Sequence, residues 1–176
     1  MIIRTATQAD LDQVLDVESR AFGSAVEAAL VRDLLTDPSA APTLSLIALD
    51  EAEPIGHILF TKASIDGQDR PVSSLLAPLA IVPDRQRTGV GRALVAEGLA
   101  RLATDGVSLV FVLGDPAYYG RFGFSPAIPE GLDPPHELPE AYRDAWMVRS
   151  TCESALRDAA GTVRCADAIM RPEYWA

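Results

Sequence analysis

Residues 72–113 constrain this fold most strongly, because they read as two apolar strands with an amphipathic helix between them. Val72 to Val82 is largely apolar from Leu75 onward. From Gly89 to about Asp105, apolar residues recur at Val90, Leu94, Val95, Leu99 and Leu102, one face of a helix that Gly106 ends. Leu109 to Leu113 is short and wholly apolar, the pattern of a strand covered on both faces. Strand, helix and strand in that order form a crossover, so strands 72–82 and 109–113 should run parallel.

The flanking sequence builds outward from that unit. Thr43 to Leu49 and Ile55 to Ile65 read as strands joined by the polar turn Asp50 to Pro54, and a further polar turn, Asp66 to Arg70, leads into Val72. These segments make an antiparallel meander, so the sheet is mixed. Ile2 to Ala6 reads as a short strand, after which Thr7 with Asp10 forms a capping-box-like helix start. That helix carries Leu11, Val14, Leu15 and Val17 and ends near Gly23; a second runs from Val26 to Leu35 and stops before Asp37-Pro38. After Phe124, Pro126, Pro129, Pro134, Pro135 and Pro139 argue for an extended surface loop. Two β-like segments, Ala145 to Arg149 and Thr162 to Cys165, then flank a helical stretch, Thr151 to Ala159. At 176 residues the chain is expected to be one domain, 1–176, with 126–176 as a Pro-rich loop plus closing strands.

Charge narrows the partners. There are 25 acidic and 15 basic side chains, a net charge of -10, which repels nucleic-acid phosphates and anionic lipid. No nucleic-acid or membrane partner is expected. The longest apolar run, Leu75 to Val82, falls far short of the ~20 residues that span a bilayer, and Arg4 and Asp10 interrupt any signal-peptide pattern. Cys152 and Cys165 form neither a CxxC nor a zinc knuckle, so reduced thiols and a cytoplasmic location are expected. His, Cys and carboxylate residues show no metal spacing, so no metal is expected.

The chemistry concentrates where strand 72–82 meets the following helix. Pro83-Asp-Arg-Gln-Arg-Thr-Gly-Val-Gly-Arg92 brings glycines and arginines to a helix N-terminus, where free N–H groups and the dipole favour an anion such as a pyrophosphate. The loop has no Walker lysine. It also misses the dinucleotide fingerprint, because position 94 is Leu and the strand-to-glycine distance is too long.

Gln86-x-x-Gly89-x-Gly91 resembles the acyl-coenzyme-A-binding loop of the GNAT N-acetyltransferase superfamily. Gly114-Asp-Pro-Ala-Tyr-Tyr-Gly-Arg-Phe-Gly-Phe124 is similar to the Tyr-x-x-x-Gly-Phe ending of the same superfamily. Leu76-Ala-Pro-Leu-Ala80, Leu113-Gly-Asp-Pro-Ala117 and Gly161-Thr-Val-Arg164 resemble its YhbS-like subgroup of predicted acetyltransferases. The resemblance implies an α/β (α+β mixed) fold in which a mostly antiparallel sheet is flanked by helices and two parallel strands splay at the coenzyme site.

It further implies acetyl-coenzyme A as cosubstrate and a small-molecule or peptide amine as acceptor. Leu79, Ala80 and Ile81 would pair with the pantetheine amides. Gln86, Arg87, Thr88, Gly89, Val90, Gly91 and Arg92 would enclose the pyrophosphate. An amine of pKa ~10 must lose a proton before it attacks, and the leaving thiolate must gain one. Tyr119 falls in the register of the family's general acid, with Tyr118 as the neighbour that competes for the role. The acceptor is expected between the second helix and the Pro-rich loop.

Several positions depart from the family pattern. Where many relatives place an Asn at the end of the strand before the tyrosine helix, this chain has Gly114-Asp115-Pro116, and Asp115 is expected to cap that helix. Strand 72–82 carries no Glu, Ser73 and Ser74 are too weakly basic to replace one, and Glu27 is the candidate base. His57 reads as a half-buried sheet residue and His136 as solvent-exposed. Trp146, Tyr174 and Trp175 are assigned to the core or to a dimer contact, so a homodimer is among the partner expectations. A noncatalytic acyl-coenzyme-A sensor is the competing function, and a nucleotide-binding oxidoreductase is disfavoured by Leu94.

Overall fold

The computed structural model describes residues 1–176. Strands β1 (Ile2–Thr5), β2 (Leu44–Asp50), β3 (Glu53–Ile65), β4 (Gln68–Ile81) and β5 (Leu109–Leu113) carry the crossover and the meander. Helices α1 (Leu11–Phe22), α2 (Val26–Thr36), α3 (Val90–Thr104) and the single turn α4 (Pro116–Tyr119) cover them. The chain closes with β6 (Ser125–Pro126), β7 (Leu132–Asp133), β8 (Trp146–Ser150) and β9 (Gly161–Arg164). Along the sheet the order is β1-β2-β3-β4-β5-β8-β6, and β9 pairs with both β3 and β7. β4 and β5 run parallel as the crossover requires, while the meander β2-β3-β4 and the β5-β8 pair are antiparallel.

Period-two alternation in strands covered on both faces explains the two cores. Leu109 and Phe111 of β5 point to one side, where α2 packs Leu30, Val31 and Leu34 onto Ile47, Leu59 and Leu75. Val110 and Val112 point to the other, where α3 packs Val90, Leu94, Val95 and Leu99 onto Ile58, Phe60 and Leu76.

Trp146 and Trp175 both belong to the first core, at 0% and 3% exposure; Trp146 stacks on Phe111 with ring centroids 5.2 Å apart. Of the two roles expected for these tryptophans, the core is the one observed. No helix is long and apolar enough to cross a membrane. Both cysteines are free, and burial pushes the Cys165 thiol up to about 12.

Three local expectations differ from the structure. Asp66 and Gly67 both adopt positive φ, +49° and +72°, and form a two-residue hairpin turn, so β4 starts at Gln68 rather than Val72. Residues 151–159 form turns instead of a helix. Only Ala155, Leu156 and Ala159 pack there, too small an apolar face to hold so short a helix. The Pro-rich stretch is also more anchored than a surface loop. It folds into short 3-10 turns, buries Ala127, Leu132 and Leu138, and accepts the Trp146 indole N–H at Leu132 O over 3.1 Å.

Candidate active site

The β4-β5 ladder ends at the pair Leu76 and Val112. β4 continues to Ile81, held on its other side by β3 through the pairs Ile58–Leu79, His57–Ala80 and Gly56–Ile81. Over residues 77–81 the edge of β4 that faces β5 therefore has no strand partner. The separation coincides with a bulge: between Ile58–Leu79 and Phe60–Leu76, two steps on β3 oppose three on β4, and Pro78 sits in the extra residue. A proline has no N–H to give a ladder, so it is tolerated there.

Beyond Ile81 the chain makes a 3-10 turn, Pro83–Arg85, and then the glycine-bearing loop. Arg87 and Gly89 both have positive φ, +62° and +95°, and Gly89 is the N-cap of α3. A Cβ on Gly89 would meet no atom within 4 Å, so the space in front of it is open. The first intrahelical bond runs from Ala93 N to Gly89 O, which leaves the amides of Val90, Gly91 and Arg92 without acceptors inside the helix. The loop is braced from behind. Gln86 Nε2 donates to Ile81 O at 3.1 Å, Thr88 Oγ1 donates to Arg85 O at 2.6 Å, and Arg85 pairs with Asp50 at 2.7 Å.

The loop, Leu79 and Ile81 of β4, the outer face of α3 and the turn after α4 enclose a cleft of about 1510 Å3. Gln86, Arg87, Gly89, Gly91 and Arg92 line it, whereas Ala80 is buried beneath it. Arg121 and Arg149 also line it, two residues to which the sequence alone gives no role. Arg121 lies inside the Tyr-Tyr-Gly-Arg-Phe-Gly-Phe motif, and that position was the available signal. Arg149 comes from β8, whose pairing with β5 no local pattern reveals.

The two adjacent tyrosines occupy different ends of this arrangement. Asp115 caps α4 by accepting Ala117 N at 2.9 Å, as expected. Tyr118 lines the cleft, and its hydroxyl lies 2.6 Å from where a Cβ on Gly91 would stand, so Gly91 makes room for it. The Tyr119 ring packs on Gly114, just past the end of β5, and on Phe124. Tyr119 is 9% exposed; its hydroxyl has no hydrogen-bond partner and is not among the enclosed orphan atoms, so what remains exposed includes that oxygen. Burial, reinforced by Tyr118, pushes its pKa upward, and the phenol stays protonated at neutral pH. A second cavity of about 430 Å3 opens beyond Gly114, where Leu113, Asp115, Leu138 and Tyr142 meet.

On the α1 side of the sheet, under the stretch of β4 that carries Ala80, lies a buried polar chain. His57 Nδ1 is 2.5 Å from Glu18 Oε1, and His57 Nε2 is 2.8 Å from Ser45 Oγ. Both Glu18 and His57 are 0% exposed, which corrects the half-buried reading of His57. Glu18 repeats the Val14 position four residues on and so falls on the apolar stripe of α1, the one sequence signal of the pair. Burial raises the Glu18 pKa, His57 opposes that rise, and Glu27 adds to it. Glu27 itself is half-buried, takes a hydrogen bond from Ser24 Oγ at 2.8 Å, and lines neither cavity. His136 is not free in solvent: its Nε2–H donates to Met170 O and ties the Pro-rich stretch to the C-terminal segment.

Comparison with known proteins follows from this geometry. Residues 2–127 match the family described as acetyltransferase (GNAT) domain. The chain is 43% identical over 162 residues to a protein of Escherichia coli K12 named uncharacterized N-acetyltransferase YjhQ, covering 91% of this chain and 89% of that one. Among solved structures it superposes on the E. coli GNAT family N-acetyltransferase YhbS in complex with CoA, with a TM-score of 0.88 and 33% identity over 97% of this chain and 92% of that one. A GNAT family acetyltransferase from Brucella melitensis in complex with acetyl-CoA gives a TM-score of 0.76 and 28% identity, covering 96% and 97%.

Proposed function

This chain belongs to the GNAT acetyltransferase family, and from that premise we propose that it transfers an acetyl group from acetyl-coenzyme A to a primary amine on a small molecule or peptide. One observation carries the reading: the unpartnered edge of β4 and the free amides at the start of α3 open into a single cleft. The backbone of Leu79, Ala80 and Ile81 offers a strand-like partner to the pantetheine amides. The loop from Gln86 to Arg92 offers amides, two guanidinium groups and a helix dipole to the pyrophosphate. The structures of relatives with CoA and acetyl-CoA support the same cosubstrate.

The thioester would then lie at the split, next to Leu76, Val112 and Gly114. Attack of the amine on the thioester carbonyl forms the amide bond and releases the thiolate, which takes a proton from Tyr119. The cavity beyond Gly114 gives the acceptor a route to that point and brings in Leu138 of the Pro-rich stretch, in support of that stretch's part in acceptor binding. Because β8 pairs with β5 and β9 with β3, residues 126–176 are read as the closing part of the same domain.

Acetyl-coenzyme A at ~100 times its dissociation constant should stabilise the fold by about 2.7 kcal/mol and raise Tm by several degrees, while NADH at the same concentration should do much less. Gly89→Val should keep a cooperative melt and lose that shift, since its side chain would fill the space in front of the loop. Equal shifts from both ligands, or none from acetyl-coenzyme A up to millimolar concentration, would remove the reading. Release of free coenzyme A across a panel of amines then identifies the acceptor.

For the acceptor's proton we propose Glu27, near the start of α2; Ala21 and Phe22, at the end of the preceding helix α1, line the cleft. Glu27→Gln should lower kcat by roughly 10²-fold or more and leave coenzyme affinity unchanged. A kcat within a factor of two of wild type would assign that proton to water.

A further inference from the structure

The cleft holds more positive charge than the loop accounts for. Four guanidinium groups line it, and none of the four lies within 4.0 Å of a carboxylate, in a chain with 25 acidic side chains. Arg87 and Arg92 belong to the loop. Arg121 and Arg149 are brought in by the turn after α4 and by β8, so two separate parts of the fold add cations to one wall. Unpaired cations gathered in a cleft repel one another, and an anion between them relieves that repulsion.

Arg121 is also held in place. Its Nε–H donates to Ala117 O at 3.3 Å, and its guanidinium carbon lies 5.2 Å from the centre of the Tyr118 ring. Tyr118 in turn reaches Gly91 at the start of α3, so the platform under Arg121 spans from α4 to the anion loop. Arg149 passes beside the same turn, its Nε 3.8 Å from where a Cβ on Gly123 would stand. A guanidinium fixed by stacking loses little freedom when it binds an oxyanion and presents two N–H groups at once.

We propose that Arg121 and Arg149 form a second anion site that takes a phosphomonoester, the 3′-phosphate on the ribose of coenzyme A. The inference rests on the coenzyme reading above and goes beyond it, because it makes these two residues the basis of discrimination between coenzyme A and 3′-dephospho-coenzyme A. The charge distribution of the ligand matches that of the cleft. A pyrophosphate diester carries one negative charge on each phosphorus and meets Arg87, Arg92 and the helix start. A phosphomonoester carries ~1.5 to 2 at neutral pH and needs cations of its own.

Isothermal titration of both ligands into wild type, Arg121→Gln, Arg149→Gln and the double variant tests this. Wild type should bind coenzyme A about 10- to 100-fold more tightly than the dephospho form, the effect of one or two hydrogen bonds to a charged group. The double variant should lose that ratio while its affinity for 3′-dephospho-coenzyme A stays within about twofold of wild type. Arg121→Lys, which keeps the charge and loses the fork, should retain part of the ratio.

Equal loss of both ligands in the double variant would overturn the assignment and give the arginines to the pyrophosphate. Equal affinity of wild type for the two ligands would show that the site does not exist. Failure of both ligands to bind wild type would remove the coenzyme reading itself, and the subsite with it.

Discussion

Tyr119→Phe is expected to lower kcat by roughly 10²- to 10⁴-fold while leaving coenzyme affinity nearly unchanged. The substitution keeps the ring that packs on Gly114 and Phe124 and deletes only the hydroxyl. That oxygen makes no hydrogen bond within the protein, so its removal breaks no structural contact. Its raised pKa keeps the phenol protonated at neutral pH, so the proton is in place when the thiolate departs.

Tyr118→Phe should behave differently. Its hydroxyl lies at Gly91 beside the glycine-bearing loop, while the ring under Arg121 is kept, so the loss should fall on KM for the coenzyme with kcat largely retained. Steady-state kinetics on the first amine that turns over separates the two. Similar kinetic defects in both variants, or a Tyr119→Phe defect confined to KM, would make Tyr119 a packing residue and leave protonation of the thiolate to water.

Such a contrast between neighbours could be only half read from sequence. The Tyr-x-x-x-Gly-Phe register selects Tyr119, but where each ring lies depends on Gly114 and Gly91, which the fold brings up from two other elements. The crossover was legible for a physical reason. Leu109–Leu113 and α3 carry their periodicity without interruption because β5 is covered on both faces and α3 on one. The glycine-bearing turn before α3 was legible because positive φ at Gly89 leaves few alternatives to glycine.

What could not be read depends on tertiary pairing. Arg149 reaches the cleft only because β8 lies beside β5, and His57 is buried only because Glu18 comes over it from α1. Proline spacing argued correctly against a long helix after Phe124. It did not reveal that Leu132 and Leu138 anchor the stretch in the core, since single apolar residues between prolines show no period. The start of β4 is likewise hidden in the sequence. The polar stretch 66–70 looked like one loop, although Asp66-Gly67 alone satisfies a tight hairpin and frees Gln68 to Arg70 for the strand.

The Glu18–His57 pair carries the second large effect, on stability. Replacing His57 with Leu keeps an apolar side chain of similar size in the sheet but leaves Glu18 0% exposed with no partner for Oε1, and Glu18 Oε2 already has none. Breaking a buried pair by removing one member typically costs about 3–5 kcal/mol, which in a chain of this size lowers Tm by roughly 10 °C.

The pH dependence has a definite sign. Burial holds the folded pKa of Glu18 above the ordinary glutamate value, and His57 is the group that limits the rise. A carboxyl with a raised folded pKa contributes its stability fully below the unfolded pKa and loses it as pH rises through the folded one. Without His57 that loss extends further, so His57→Leu should be least damaging near pH 4 and most damaging near pH 8. Glu18→Leu combined with His57→Leu removes both polar side chains and should recover most of the stability at pH 8, because two apolar groups in place of a buried pair are close to neutral. Urea denaturation of the single and double variants at the two pH values measures all of this. A single variant that loses less than ~1 kcal/mol at pH 8, or whose loss does not change between the two pH values, would mean that Glu18 is neutral in the folded protein and that the pair is a hydrogen bond between uncharged groups.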